Sequence, residues 1–276
     1  MKIKRKIKEL DKLPSTRKRQ FKDILKYDFA LVVDISILQG LFTIPLIVLF
    51  IIQINILTSL SELSFELVFP VMFYFSLIEI VFFGIRNISR SATCGIMIKR
   101  IYNEGCFIIP TFYQKLKENG LKSFFMGFIE GLCFAIFVIV STYLLYLPIK
   151  PVAQGLAIGM LALLFMFSFL TLEYFNNFIN VYELRFKDLI KNSYSLVFLT
   201  LFASLLYFVL VIIVPFSLIL ISRYLMILVI MINCLFYDGF SQLISSLYAI
   251  NKFDKYINKD NYPDYVGKGL SKKEEN

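Results

Sequence analysis

The sequence predicts an all-α polytopic membrane protein, with six transmembrane helices and amphipathic interfacial helices on the cytoplasmic side. Three observations predict it. Hydrophobic residues make up 58% of the 276 residues and charged residues 18%, with a mean hydropathy of +0.72; soluble domains carry about 45–50% and about 25%. The apolar residues come in blocks, several longer than the ~18 residues that mark a transmembrane helix. The basic residues fall between the blocks, where cytoplasmic loops retain Lys and Arg. An ordinary soluble enzyme, a nucleic-acid-binding module and a disordered chain are thereby excluded. The net charge of +9 reads as membrane topology rather than as a nucleic-acid footprint.

Residues 1–28 form a basic segment. Phe21, Ile24, Leu25 and Phe29 share one helical face with basic residues opposite. That pattern suits a helix lying on an anionic inner leaflet, or the first turns of span one protruding from the membrane. No A-x-A site follows the first apolar stretch, which is longer than a signal h-region, so that stretch is expected to remain as a span.

The membrane domain covers residues 29–256. Span one, 29–57, is interrupted by Asp34, Gly40 and Pro45. Span two covers 67–85 and contains Glu79. The loop from Arg86 to Lys122 should be helical in parts. Pro110 suits a first helical position, and Phe112, Leu116 and Leu121 then face away from Lys115, Lys117 and Lys122, as on an interfacial helix. Span three, 123–147, contains Glu130 and ends on Tyr143 and Tyr146, which suit an interfacial aromatic belt. Span four, 155–182, contains Glu173; its Gly155 and Gly159 could permit close helix approach within the monomer or in a dimer. A short charged connection, 183–195, carries Arg185 and Lys187. The apolar run after it would overrun a bilayer twofold as one helix. It divides into spans at 196–215 and 217–250, the second holding Asp238, and residues 257–276 form a polar tail expected to fray.

Six spans place both termini on one side. Of the 29 Lys and Arg residues, all but Lys150 and Arg223 fall on that side, which makes it cytoplasmic.

Chemistry-bearing motifs are sparse. The chain has no histidine and four cysteines, none at C-x-x-C spacing. A His-ligated metal and a Ser-His-Asp triad are excluded, and no nucleotide-binding P-loop, G-x-S-x-G or H-E-x-x-H is present. No cofactor, metal, catalytic residue or nucleic-acid partner is expected.

The distinctive feature is one acid in each span except the fifth: Asp34, Glu79, Glu130, Glu173 and Asp238. Intramembrane acids are rare, because charge at the bilayer centre costs at least ~2.5–3.5 kcal/mol. All five lie in the inner half by their spacing from basic residues. Three readings follow: the acids pair with Arg86, Arg90 or Lys99, or with Asn and Tyr neighbours, and hold the bundle together; they line an inward-facing cavity for a cation or polar ligand; or they snorkel singly to water. Phe112, Lys115, Leu116, Lys117, Lys122, Arg185 and Lys187 are candidate contacts for a cytoplasmic partner or for lipid.

Three stretches carry a family resemblance: GIRNISRSATCGIMIK at Gly84–Lys99, GCFIIPTFYQKLKENGLKS at Gly105–Ser123 and VYELRFKDLIKNSY at Val181–Tyr194. Together with FDKYI at Phe253–Ile257 and YVGKGL at Tyr265–Leu270, they resemble the YesL-like family of bacterial polytopic membrane proteins. Arg86 and Arg90 depart from the family's T-A element, and the first hairpin is longer. The resemblance implies a six-helix plasma-membrane protein associated with carbohydrate ABC transporters, in a non-enzymatic accessory or regulatory role. The alternative is a transporter or solute-binding subunit whose acids line a polar cavity.

Overall fold

In lipid, backbone N–H and C=O groups find no water, so an apolar run must pair them within its own helix. The computed structural model describes residues 13–209 and 231–271. The expected turn between Pro215 and Arg223 and most of the basic N-terminal run lie outside them, as does the end of the tail.

Nearly all the described chain is helical. Helix α1 (Arg17–Tyr27) starts at Thr16, whose hydroxyl accepts from the Arg19 backbone N–H. Then come α2 (Phe29–Ser59), α3 (Phe65–Ile101), α4 (Ile108–Tyr146) and α5 (Pro151–Val181). These four are long and apolar enough to cross a membrane. Helices α6 (Phe186–Leu199) and α7 (Leu201–Phe208) form a pair bent by 93°, which makes a fifth candidate span if counted as one. After a π-helical turn at Asn233–Tyr237, α8 (Asp238–Phe253) runs into a second π turn, Asp254–Asn258, and ends in short turns.

Several boundaries differ from the sequence reading, for local reasons. The expected loop at 86–122 is almost all helix. No proline separates Phe83 from Ile101, so α3 runs 37 residues, and α4 runs 39. The expected interfacial helix after Pro110 is therefore the lower part of α4, continuous with span three. The turn between the two is only Tyr102–Phe107, where Asn103 takes a left-handed φ of 57°. The expected connection at 183–195 is mostly α6. Its break falls at Thr200, whose hydroxyl lies 2.7 Å from the Leu196 carbonyl and 2.8 Å from the Tyr174 hydroxyl.

The tail does not fray through Ser271. Its backbone N–H bonds to the Pro14 carbonyl, and Arg17 binds both Asp254 and the Lys268 carbonyl. Gln20 donates to the carbonyls of Ile101 and Gly269. Gly269 adopts φ +81°, and a Cβ there would strike the Ile101 carbonyl. Lys268 pairs with Glu104 and sits over the rings of Tyr102 and Tyr265. Both described ends and the α3–α4 turn thus lock together at one end of the molecule. At the opposite end the Tyr146 hydroxyl donates to Leu63 O, joining the α2–α3 and α4–α5 turns.

Helices α3 and α4 make the most extensive packing. Two apolar clusters flank the polar centre, one built on α1, α2, α3, α4 and α8, the other on α4, α5, α6 and α8.

Candidate functional site: a buried polar layer and a basic groove

The layer begins with the short polar residues on facing turns of α3, α5 and α8. Arg90 of α3 forms an ion pair with Glu173 of α5, and both side chains are buried. Ser245 of α8 donates to the second Glu173 oxygen at 2.8 Å. The guanidinium lies 5.2 Å from the Phe169 ring centroid. Around this pair the bonding extends in two directions. Asn176 donates to Asn87, which donates to the Ser123 carbonyl at 2.7 Å. On the other side Gln39 of α2 donates to Thr93 and Gln242, and Gln242 to Ser246. Cys94 joins through Asn177. In a low-dielectric interior such bonds are strong and a missing partner is costly.

The five acids do not form one cluster. Glu130, buried on α4, and Asp238, half-buried on α8, lie within electrostatic reach of Arg86 and Arg90. With Glu173 they make three acids around two arginines. Asp34 faces outward, exposed on α2. Glu79 is buried about two turns from Arg86 and three from Arg90 along α3, and neither carboxyl oxygen has a hydrogen-bond partner. Arg90 is the partner of Glu173, whereas Lys99 sits at the basic end, near Glu118 and Cys106 rather than the membrane acids. Beside Glu173 lies a space of about 20 Å³, lined by Tyr174, Ser204, Tyr207, Ser245 and Tyr248 among others. That is room for about one water.

A larger concavity opens at the basic end. The lower part of α4 and the α5–α6 connection line an open groove of about 800 Å³. The two segments read as separate from sequence thus share one surface. Lys115, Lys122 and Arg185 line it, with Glu118, Glu183, Asn119 and Asn180. Its floor is fixed: Asn119 donates to Asn180, and Asn180 to the Ser91 carbonyl. Gly95 of α3 admits both Asn180 and the stem of Lys115, which a Cβ would meet at 2.6 and 2.9 Å. Lys115 bonds Glu118 at 2.7 Å and holds its carboxyl below the usual carboxylate range.

Of the other contact candidates, Phe112 and Leu116 turn inward and pack in the core, because the helix continues straight into the bundle. The exposed apolar side chains of that segment are Phe107, Ile109, Tyr113 and Leu121. Lys117 lies over Tyr113, and Lys187 is exposed on α6 outside the groove lining. Sequence reasoning allowed Asn neighbours as partners of the acids without assigning Asn176 or Asn177 to one, and it missed Asn87 and Ser245 as members of the layer. Polar residues recurring at helical spacing within apolar runs were the available signal.

Fold and site together define a class: an all-helical chain with four or five apolar helices of membrane-spanning length around a buried, ion-paired polar layer. Compared with known proteins, the chain matches no family model, no curated protein and no solved structure.

Proposed function

We propose that the chain is a multi-pass protein of the bacterial plasma membrane, with six spans and both termini cytoplasmic. In this reading it has no enzymatic activity and serves as an accessory or regulatory component of carbohydrate uptake by an ABC transporter. The resemblance to the YesL-like family supplies the association with uptake.

One observation carries the non-transporting role. Arg90 pairs with Glu173, Ser245 donates to Glu173, and the space beside them is about 20 Å³. Pockets for small molecules occupy about 300–1,000 Å³. The pair therefore acts as a strut between α3 and α5.

The partner would grip the start of α4. Phe107 and Ile109 are 83% and 74% exposed, and Tyr113 and Lys117 continue the same surface. Photo-crosslinkers at Tyr113 and Lys117, in the full chain in native membranes, test this. Capture of an ABC transporter subunit is the expected result; recovery of no such subunit contradicts it.

A second reading, a transporter or solute-binding subunit, draws on the unpartnered oxygens of Glu79 and Glu130. Loss of solute uptake in Glu79→Gln, with folding intact, would favour it.

A further inference from the structure

We infer that the groove between α4 and the α5–α6 connection binds the phosphate of an anionic phospholipid from the leaflet at the basic end. Three basic side chains face one concavity of about 800 Å³, and two carboxylates oppose them. The charges are unequal in availability. Glu118 is occupied by Lys115 and Gln114. Lys122 reaches only the Leu184 carbonyl, at 3.4 Å, and Arg185 has no carboxylate partner among the described residues. That leaves Lys122 and Arg185 to offer ammonium and guanidinium donors against the single free carboxylate of Glu183. A guanidinium and an ammonium group lining one concavity suit a phosphate, which accepts charge-assisted hydrogen bonds at several oxygens. Asn119 and Asn180 spend their N–H donors on the floor itself, on Asn180 and the carbonyls of Ile179, Ser91 and Asn176, so they shape the groove and leave the ligand to the two cations.

The surroundings favour a lipid over a soluble phosphate. Helix α4 carries Lys122 directly into its membrane-crossing part. Leu121 is 72% exposed and Phe125, one turn deeper, is 50% exposed, followed by Ile129 and Leu132. These give an acyl chain an apolar track that starts at the groove's rim. Basic pockets between helices on the cytoplasmic side are where anionic headgroups bind. The inference uses the orientation given above but not the partner, whose proposed surface at Phe107, Ile109, Tyr113 and Lys117 does not line the groove.

The test uses the full chain in nanodiscs of phosphatidylcholine with phosphatidylglycerol, with bound lipid read by native mass spectrometry. Wild type is expected to retain phosphatidylglycerol in preference. Lys122→Gln with Arg185→Gln should weaken that binding about thirtyfold, taking about 1 kcal/mol per basic residue. Lys191→Gln with Lys259→Gln removes equal charge from exposed positions outside the groove and should leave it unchanged. Glu183→Gln should strengthen it about fivefold on the same scale, a sign that misfolding cannot imitate. The inference is overturned if wild type shows no preference, if both double variants lose lipid equally, or if Glu183→Gln weakens binding. Displacement of the lipid by inorganic phosphate at matched concentration would likewise overturn the lipid assignment in favour of a soluble anion.

Discussion

At the scale of single residues, the Arg90–Glu173 pair dominates. Removing one partner of a buried pair leaves an uncompensated charge and costs about 3–5 kcal/mol, whereas replacing both with apolar groups of similar volume can be nearly neutral. Glu173→Ala and Arg90→Ala should each lower the unfolding midpoint in detergent sharply. The double variant Arg90→Met/Glu173→Met should recover most of the loss, a non-additivity that a thermal-melting cycle measures. Equal, additive losses would mean that the two side chains act independently. That an acid in each of several spans signals something internal was legible in the sequence; which basic residue answers which acid was not. Pairing depends on helix rotation, and a single chain of apolar periodicity leaves rotation open. Asp34 and Glu173 look alike in sequence, each a lone acid in an apolar run, yet one faces outward and the other is buried.

At the scale of elements, close crossings depend on which glycines meet a neighbour. Gly155 and Gly159, singled out by their spacing, have nothing within 4 Å of a Cβ. The same spacing recurs at Gly127 and Gly131 on α4, where a Cβ would come 2.7 Å from the Phe83 carbonyl oxygen and 2.8 Å from Ile80 Cα. Small residues let membrane helices approach without a hydrophobic driving force, which explains why α3 and α4 pack so extensively. Gly127→Ala or Gly131→Ala should destabilise by about 1–3 kcal/mol through overpacking, while Gly155→Ala should leave melting unchanged. Equal effects in both pairs would contradict the crossing geometry. The helices themselves were legible from hydropathy. Their lengths were not, because polar residues such as Asn87, Arg90 and Ser91 resemble the end of a span in sequence and are the buried face of a continuing helix in the structure.

At the scale of the whole molecule, the basic end is a clasp. Arg17 ties α1 to Asp254 and Lys268, Arg100 pairs with Asp28, and Ser271 returns to Pro14. Gly269→Val should free the segment Tyr262–Ser271, seen as faster limited proteolysis there while the α2–α5 core stays protected; unchanged cleavage would mean that this contact does not hold the tail. The clasp also bears on topology. Four helices of spanning length alternate between the clasp and the end where Tyr146 meets Leu63, so the turns sort into two groups. Reporter fusions at residues 62, 104, 148, 183 and the C-terminus measure that sorting directly. The result predicted is 62 and 148 outside the cell, with 104, 183 and the C-terminus inside; a C-terminus outside, or 104 on the same face as 62, would contradict it.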